Sequence, residues 1–131
     1  MTFKQQDKFE QTFTVSDKTY SGFIDLFGDT NPLHTDEAFA VSKGFNGKVM
    51  HGNILNGFLS YFIGECLPVK NVIIHSQEIK FSHAVYLNDE LFFEAVVQDV
   101  YESVQAVEFK YQFKNSAAKT VAKGKIQIGL I

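Results

Sequence analysis

Asn53-Ile54-Leu55-Asn56-Gly57-Phe58-Leu59-Ser60-Tyr61-Phe62-Ile63-Gly64-Glu65-Cys66-Leu67, closed by Pro68, is the stretch on which the fold turns. Ile54, Leu55, Phe58, Leu59, Phe62 and Ile63 recur at helical spacing and make one wide apolar face. Pro68 ends the helix, since it has no N–H to donate and its ring clashes with the preceding turn. A helix this apolar is expected to be almost wholly buried, with Asn53, Asn56, Ser60 and Glu65 as its polar interruptions. Cys66 falls on it and reads as core rather than nucleophile. A lone cysteine forms no internal disulfide, which fits a reducing, cytoplasmic setting.

Downstream of Pro68 the chain reads as strands at 72–81, 91–100, 104–113 and 120–131, with a hairpin turn at Asn115-Ser116. Alternation by twos is plain in Val107, Phe109, Tyr111 and Phe113, and again in Ile126, Ile128 and Leu130. Upstream, Phe9, Phe13 and Val15 mark a first strand over 9–15. Ser16 then caps a short helix carrying Tyr20, Phe23, Ile24 and Phe27. Thr35 is expected to cap a second short helix, which Gly44 and Gly47 end. One apolar helix among long antiparallel strands points to an α+β domain, residues 1–131, with the sheet wrapped around the helix.

Composition narrows the partners. The chain has 131 residues, 45% hydrophobic, with 14 Phe and no Trp, enough for one domain with a real core. A net charge of −3 without a basic tract argues against nucleic acid. The polar N-terminus lacks the pattern of a signal peptide, and the apolar helix is too short to span a membrane.

Chemistry concentrates in Gly28-Asp29-Thr30-Asn31-Pro32-Leu33-His34. Gly28 permits positive φ, Pro32 fixes its own φ, and Asn31 is disfavoured from helix by the proline after it. The stretch is therefore expected to be a shaped loop on which the Asp29 and His34 heads converge. Both types move protons, histidine near neutrality. Twenty residues on, His51-Gly52 precedes the apolar helix, so unpaired amides at Gly52 stand at a positive dipole end. Such an amide suits an oxygen that gains negative charge. His51 itself reads as a structural hydrogen-bonder at the helix start. His75 and His83 lack paired ligand spacing, and no His/Cys/carboxylate cluster has the spacing zinc requires, so no metal is expected. No cofactor is expected either, since no glycine-rich phosphate cradle is present.

Gly28-Asp29-Thr30-Asn31-Pro32-Leu33-His34 with Asp36 and Ala38, then Val49-Met50-His51-Gly52, Ser60, Gly64 and Leu67-Pro68, resembles the (R)-specific enoyl-CoA hydratases of the MaoC-like dehydratase family. The resemblance covers roughly residues 10–100. It implies a hot-dog fold, a long central helix wrapped by an antiparallel sheet, as a homodimer. It also implies reversible hydration of a trans-2-enoyl thioester, on CoA or acyl-carrier protein, to the (R)-3-hydroxyacyl thioester. On that resemblance Asp29 and His34 activate one water, Asn31 supports the loop, the Gly52 amide meets the thioester oxygen, and Ser60 lies near the aspartate. Phe27, Asn53, Val69 and Ala84 stand where the family usually has serine, often methionine, and usually glycine and proline. Asn53 and Asn56 are poor lining for a long apolar tunnel, which points to short or hydroxylated acyl groups. If CoA binds, its phosphates are expected near Lys43 or Lys48. A hot-dog thioesterase and a non-catalytic acyl-binding subunit remain the alternatives. The intact Asp29–His34 pair disfavours both.

Overall fold

A computed structural model describes residues 1–131. The elements in chain order are β1 (Lys8–Thr14), α1 (Asp17–Phe27), α2 (Pro32–Thr35), α3 (Glu37–Ser42), α4 (Asn53–Tyr61), β2 (Val72–Phe81), β3 (Glu90–Tyr101), β4 (Ala106–Lys114) and β5 (Thr120–Leu130). The five strands form one antiparallel sheet in the order β1-β3-β4-β5-β2. Alternation by twos puts Val107, Phe109, Tyr111 and Phe113 of β4 on the buried face. Leu91, Phe93, Ala95 and Val97 of β3 join them there.

Against that face lies α4, prolonged by one π-helical turn, Phe62–Cys66. Phe62 is fully buried, with its ring centroid 4.8 Å from that of Phe93. Phe58 stacks on Phe13 of β1 at 4.5 Å. Burying each of these side chains stabilises the fold by roughly 1.5–3 kcal/mol. Leu67 leaves the helix in an extended conformation, φ −82 and ψ 154, as the residue before a proline is obliged to do. This is the α+β arrangement expected, a sheet wrapped on a central helix.

Four expectations need correction. The helix is not buried all round: Ile54, Leu55, Leu59, Phe62 and Ile63 face the sheet, while Asn53, Gly57, Ser60, Tyr61 and Gly64 are exposed. A single sheet covers one side of a helix and no more. Thr35 does not cap the second helix. The Asp36 carboxylate does, accepting from the Phe39 N–H at 3.1 Å, while the Thr35 hydroxyl donates back to the Thr30 and Asn31 carbonyls. The Gly28–His34 stretch is also not all loop, because Pro32–Thr35 makes a helical turn with proline at its first position. The fourth strand starts at Ala106 rather than 104, since Glu102–Val104 form a 3-10 turn and Gln105 takes φ +51. No helix is long and apolar enough to cross a membrane.

Candidate active site

The site is assembled at the N-terminal end of α4. Helix α1 ends at Gly28, whose φ of +70 turns the chain while its N–H caps the Ile24 carbonyl at 2.7 Å. That turn delivers Asp29. Its Oδ1 accepts from the Asn31 N–H at 3.2 Å, and Asn31 Oδ1 in turn accepts from the Leu33 N–H at 3.0 Å. Two consecutive side-chain turns thus fix the carboxylate and start α2, which carries His34.

Asp29 Oδ2 lies 3.8 Å from His34 Nε2. That is too long for a direct hydrogen bond and short enough for one water to touch both atoms. His34 Nδ1 meets the Val49 carbonyl at 2.7 Å. A carbonyl only accepts, so Nδ1 carries the hydrogen and the neutral ring presents a lone pair at Nε2. The Tyr20 hydroxyl donates to the His34 carbonyl at 2.6 Å, tying α2 to α1.

His51 is 2% exposed and donates from Nε2 to the Asp29 carbonyl at 2.9 Å. Its ring is stacked 3.9 Å from that of His34 and is backed at 4.6 Å by Phe23. His51 Nδ1 is buried without a partner. His51 therefore holds both members of the pair, one through the backbone and one through the ring. The hydrogen-bonding role expected of it is what the structure shows.

Asp29, His34 and His51 each offer an atom within 4.8 Å of the others, a cluster that spacing along the chain concealed. It does not fit a metal ion. The two rings are stacked with only 29° between their planes, so their lone pairs run side by side instead of converging on one centre.

Gly52 caps α4, and its N–H has no acceptor within the chain. Asp29, His34, His51, Gly52 and Asn53 line one cleft of about 510 Å³, with Phe45, Met50 and the Phe81–Val85 stretch as its other wall. A Cβ at Gly52 would sit 3.0 Å from the Phe81 ring, so glycine is what lets β2 close over the helix terminus. The parts played by Phe23, Tyr20 and the Val49 carbonyl were not found from the sequence.

Ser60 is not brought to this site. Within one chain it is exposed, two helical turns beyond Asn53 on α4, and the helix residues that share a groove with Asp29 are Asn53, Ile54, Asn56, Gly57 and Phe58. The Asn56 amide donates to Asn53 Oδ1 at 2.8 Å and accepts from the Gln77 amide. Lys43 and Lys48, expected near a phosphate, have their ammonium groups over the Phe39 and Tyr20 rings at 5.4 and 5.1 Å.

Residues 1–120 match the model of the MaoC like domain. The chain is 36% identical over 77 residues to an (R)-specific enoyl-CoA hydratase of Aeromonas caviae, covering 59% of this chain and 58% of that protein. It is 29% identical over 115 residues to an (R)-specific enoyl-CoA hydratase of Rhodospirillum rubrum, covering 88% and 79%. The first of these matches thus spans little more than half of its relative's length. Among solved structures, the (R)-hydratase from A. caviae superposes with a TM-score of 0.90 at 25% identity, covering 99% of this chain and 98% of that one. An R-hydratase from Pseudomonas aeruginosa gives 0.88 at 27% identity, covering 98% and 82%. The shared architecture is the hot-dog fold.

Proposed function

Because the chain belongs to the MaoC-like domain family, we propose that it adds water reversibly to a trans-2-enoyl thioester to give the (R)-3-hydroxyacyl thioester. The observation that carries this reading is the cleft itself: Asp29 Oδ2 and His34 Nε2 stand 3.8 Å apart in the same cavity as the unpaired Gly52 N–H. One water held between the pair gives up a proton as its oxygen bonds to C3. Electrons move from the C2=C3 bond into the thioester, whose oxygen gains charge and takes the Gly52 N–H as donor. The pair then returns a proton to C2. Dehydration runs the same steps backwards. Asn31 serves as the support of the Asp29 turn, and His51 as the clamp behind both groups.

Crotonyl-CoA tests the reading. Loss of the enoyl absorbance without release of free thiol is the expected result. Thiol release would make the protein a thioesterase instead, and neither change would leave an acyl-binding role. An acyl-carrier-protein thioester, tried alongside, decides which carrier the cleft serves.

A homodimer belongs to the same proposal. Strand β2 is a sheet edge, exposed along nearly its whole length, with Ile73 50% exposed. An unpaired edge of ten residues is an aggregation hazard unless it is covered. A second copy of β2 pairing across a two-fold axis covers both. Light scattering at micromolar concentration is expected to give the dimer mass. A monomer mass overturns this part.

A further inference from the structure

Residues 105–131 contain five lysines and one glutamate, so the remainder of a chain of net charge −3 carries −7. The sheet register gathers this charge. Lys80 of β2 is directly opposite Lys123 of β5, and Lys125 of β5 is directly opposite Lys110 of β4. All four are exposed and share the sheet face turned away from α4. Like charges directly opposed across strands cost stability. None of the four forms an ion pair within the chain, although Lys8, on the same sheet, pairs with both Glu10 and Glu94. Two carboxylates stand beside them, Glu78 opposite Lys125 and Glu108 two residues before Lys110 on the same face, and neither is within ion-pair distance of a lysine.

The four lysines border a shallow groove of about 350 Å³ with Glu78 and Gly124. Beneath it, on the sheet face that meets α4, the Tyr111 phenol crosses Gly124 to donate to the Glu78 carbonyl at 2.7 Å. Burial, reinforced by the Glu78 carboxylate, pushes that phenol well above its usual range, so it adds no negative charge beneath the lysines.

The groove and the cleft lie on opposite faces of the sheet and come together round the Phe81 end of β2. Lys80 precedes Phe81, whose ring lies on Gly52, and Lys123 follows Ala122, the register partner of Phe81. Ser82 and His83 continue from there as the cleft wall, their N–H groups bonded to the Val121 carbonyl.

We propose that Lys80, Lys110, Lys123 and Lys125 bind the phosphorylated nucleotide end of coenzyme A, whose pantetheine arm crosses the Phe81–Ala84 lip into the cleft. This rests on the thioester reading above. The 3′-phosphate and diphosphate of the nucleotide supply a compact cluster of negative charge for a compact cluster of ammonium groups. The arm between diphosphate and sulfur has about as many backbone bonds as four residues, roughly 14 Å extended. Lys80 is the residue next to Phe81, and Lys123 lies one strand spacing of about 5 Å from Lys80, so the arm has only the Phe81 end of β2 to pass between this corner of the groove and the cleft.

The test compares crotonyl-CoA with crotonyl-pantetheine, which has the arm without the nucleotide, on wild type and on the double variant Lys123→Glu, Lys125→Glu. The expected result is a KM for crotonyl-CoA raised by roughly tenfold, as befits two partly exposed charge contacts, with kcat unchanged. The pantetheine substrate should not distinguish the two proteins, and added salt should weaken only wild-type use of crotonyl-CoA. Equal loss on both substrates, or no loss on either, overturns the proposal. A loss confined to an acyl-carrier-protein thioester also overturns it, in favour of an acidic carrier as the occupant. Should wild type turn over neither substrate, the hydratase reading fails by itself. Calorimetric titration with 3′-phospho-ADP then decides the groove alone: binding lost in the double variant supports it, and no binding to wild type overturns it.

Discussion

At the far end of α4, Phe62 packs among Phe9, Phe93 and Phe109 with ring centroids 4.8–5.8 Å away. At the near end, Gly52 and His51 stand among the Asp29 and Val49 carbonyls, the Asp29 carboxylate and the His34 ring. The first arrangement is non-directional, and its stability is the sum of many small contacts. The second depends on single atoms: one carbonyl orients His34, another holds His51, and His51 Nδ1 has no partner at all. An unpaired buried polar atom costs about 1–3 kcal/mol, so the near end gives up stability that the far end supplies. Substitutions should accordingly separate. Near-end changes should cost turnover and spare the fold, and far-end changes should do the reverse.

The largest separation is expected at the pair itself. Asp29→Asn and His34→Ala should each lower kcat by on the order of 10²–10⁴-fold, the range for losing a positioned acid or base. Asp29 is half exposed and His34 stands at the cleft wall, so thermal unfolding should stay close to wild type. Near-wild-type turnover in either variant would sink the assigned chemistry. Phe62→Ala is the converse. Removing a fully buried ring should cost about 3–5 kcal/mol in denaturant titrations, while the folded fraction keeps its kcat. A stable Phe62→Ala protein with impaired kcat would erase the distinction between the two ends.

The two ends were not equally legible in the sequence. Apolar periodicity is local, so the far end of α4 and the alternating face of β4 could be read from spacing alone. Asp29, His34 and Gly52 were legible too, since residues that fix backbone geometry flank them. Their supports were not. His34 is oriented by a carbonyl fifteen positions away and His51 by one twenty-two away, and a carbonyl leaves no mark on residue identity. The lysines escaped notice because β2, β4 and β5 bring them into opposition only through register.

His51 sharpens the comparison with a smaller effect. His51→Phe keeps a ring between Phe23 and His34 but loses the donor to the Asp29 carbonyl, whereas His51→Gln keeps an amide donor and loses the ring. Losing one hydrogen bond of about 1 kcal/mol predicts a fall in kcat of roughly five- to tenfold for each, with KM little changed. Wild-type kcat in both variants would show that His51 only fills space.

The smallest effect concerns Asn53, which sits where the near end gives way to apolar surface. It borders both the cleft and a larger open groove of about 1020 Å³ lined by Leu26, Phe27, Ile54 and Phe58. From Asn53 a line of amides runs on through Asn56 to Gln77, each bonded to the next. An aliphatic chain passing from cleft to groove would have to run along these amides and strip water from them, which disfavours long acyl groups. Wild type should therefore prefer butenoyl and other short or hydroxylated thioesters over octenoyl and longer ones. Asn53→Met removes the amide and adds apolar surface at about 0.8 kcal/mol per buried methylene, enough for a several-fold rise in kcat/KM on the long substrates. The measurement is kcat/KM across the series from butenoyl- to dodecenoyl-CoA for both proteins. A wild-type optimum at octenoyl or longer breaks the argument. So does an Asn53→Met series that rises and falls with chain length as wild type does, because the junction would then not be what the acyl chain meets.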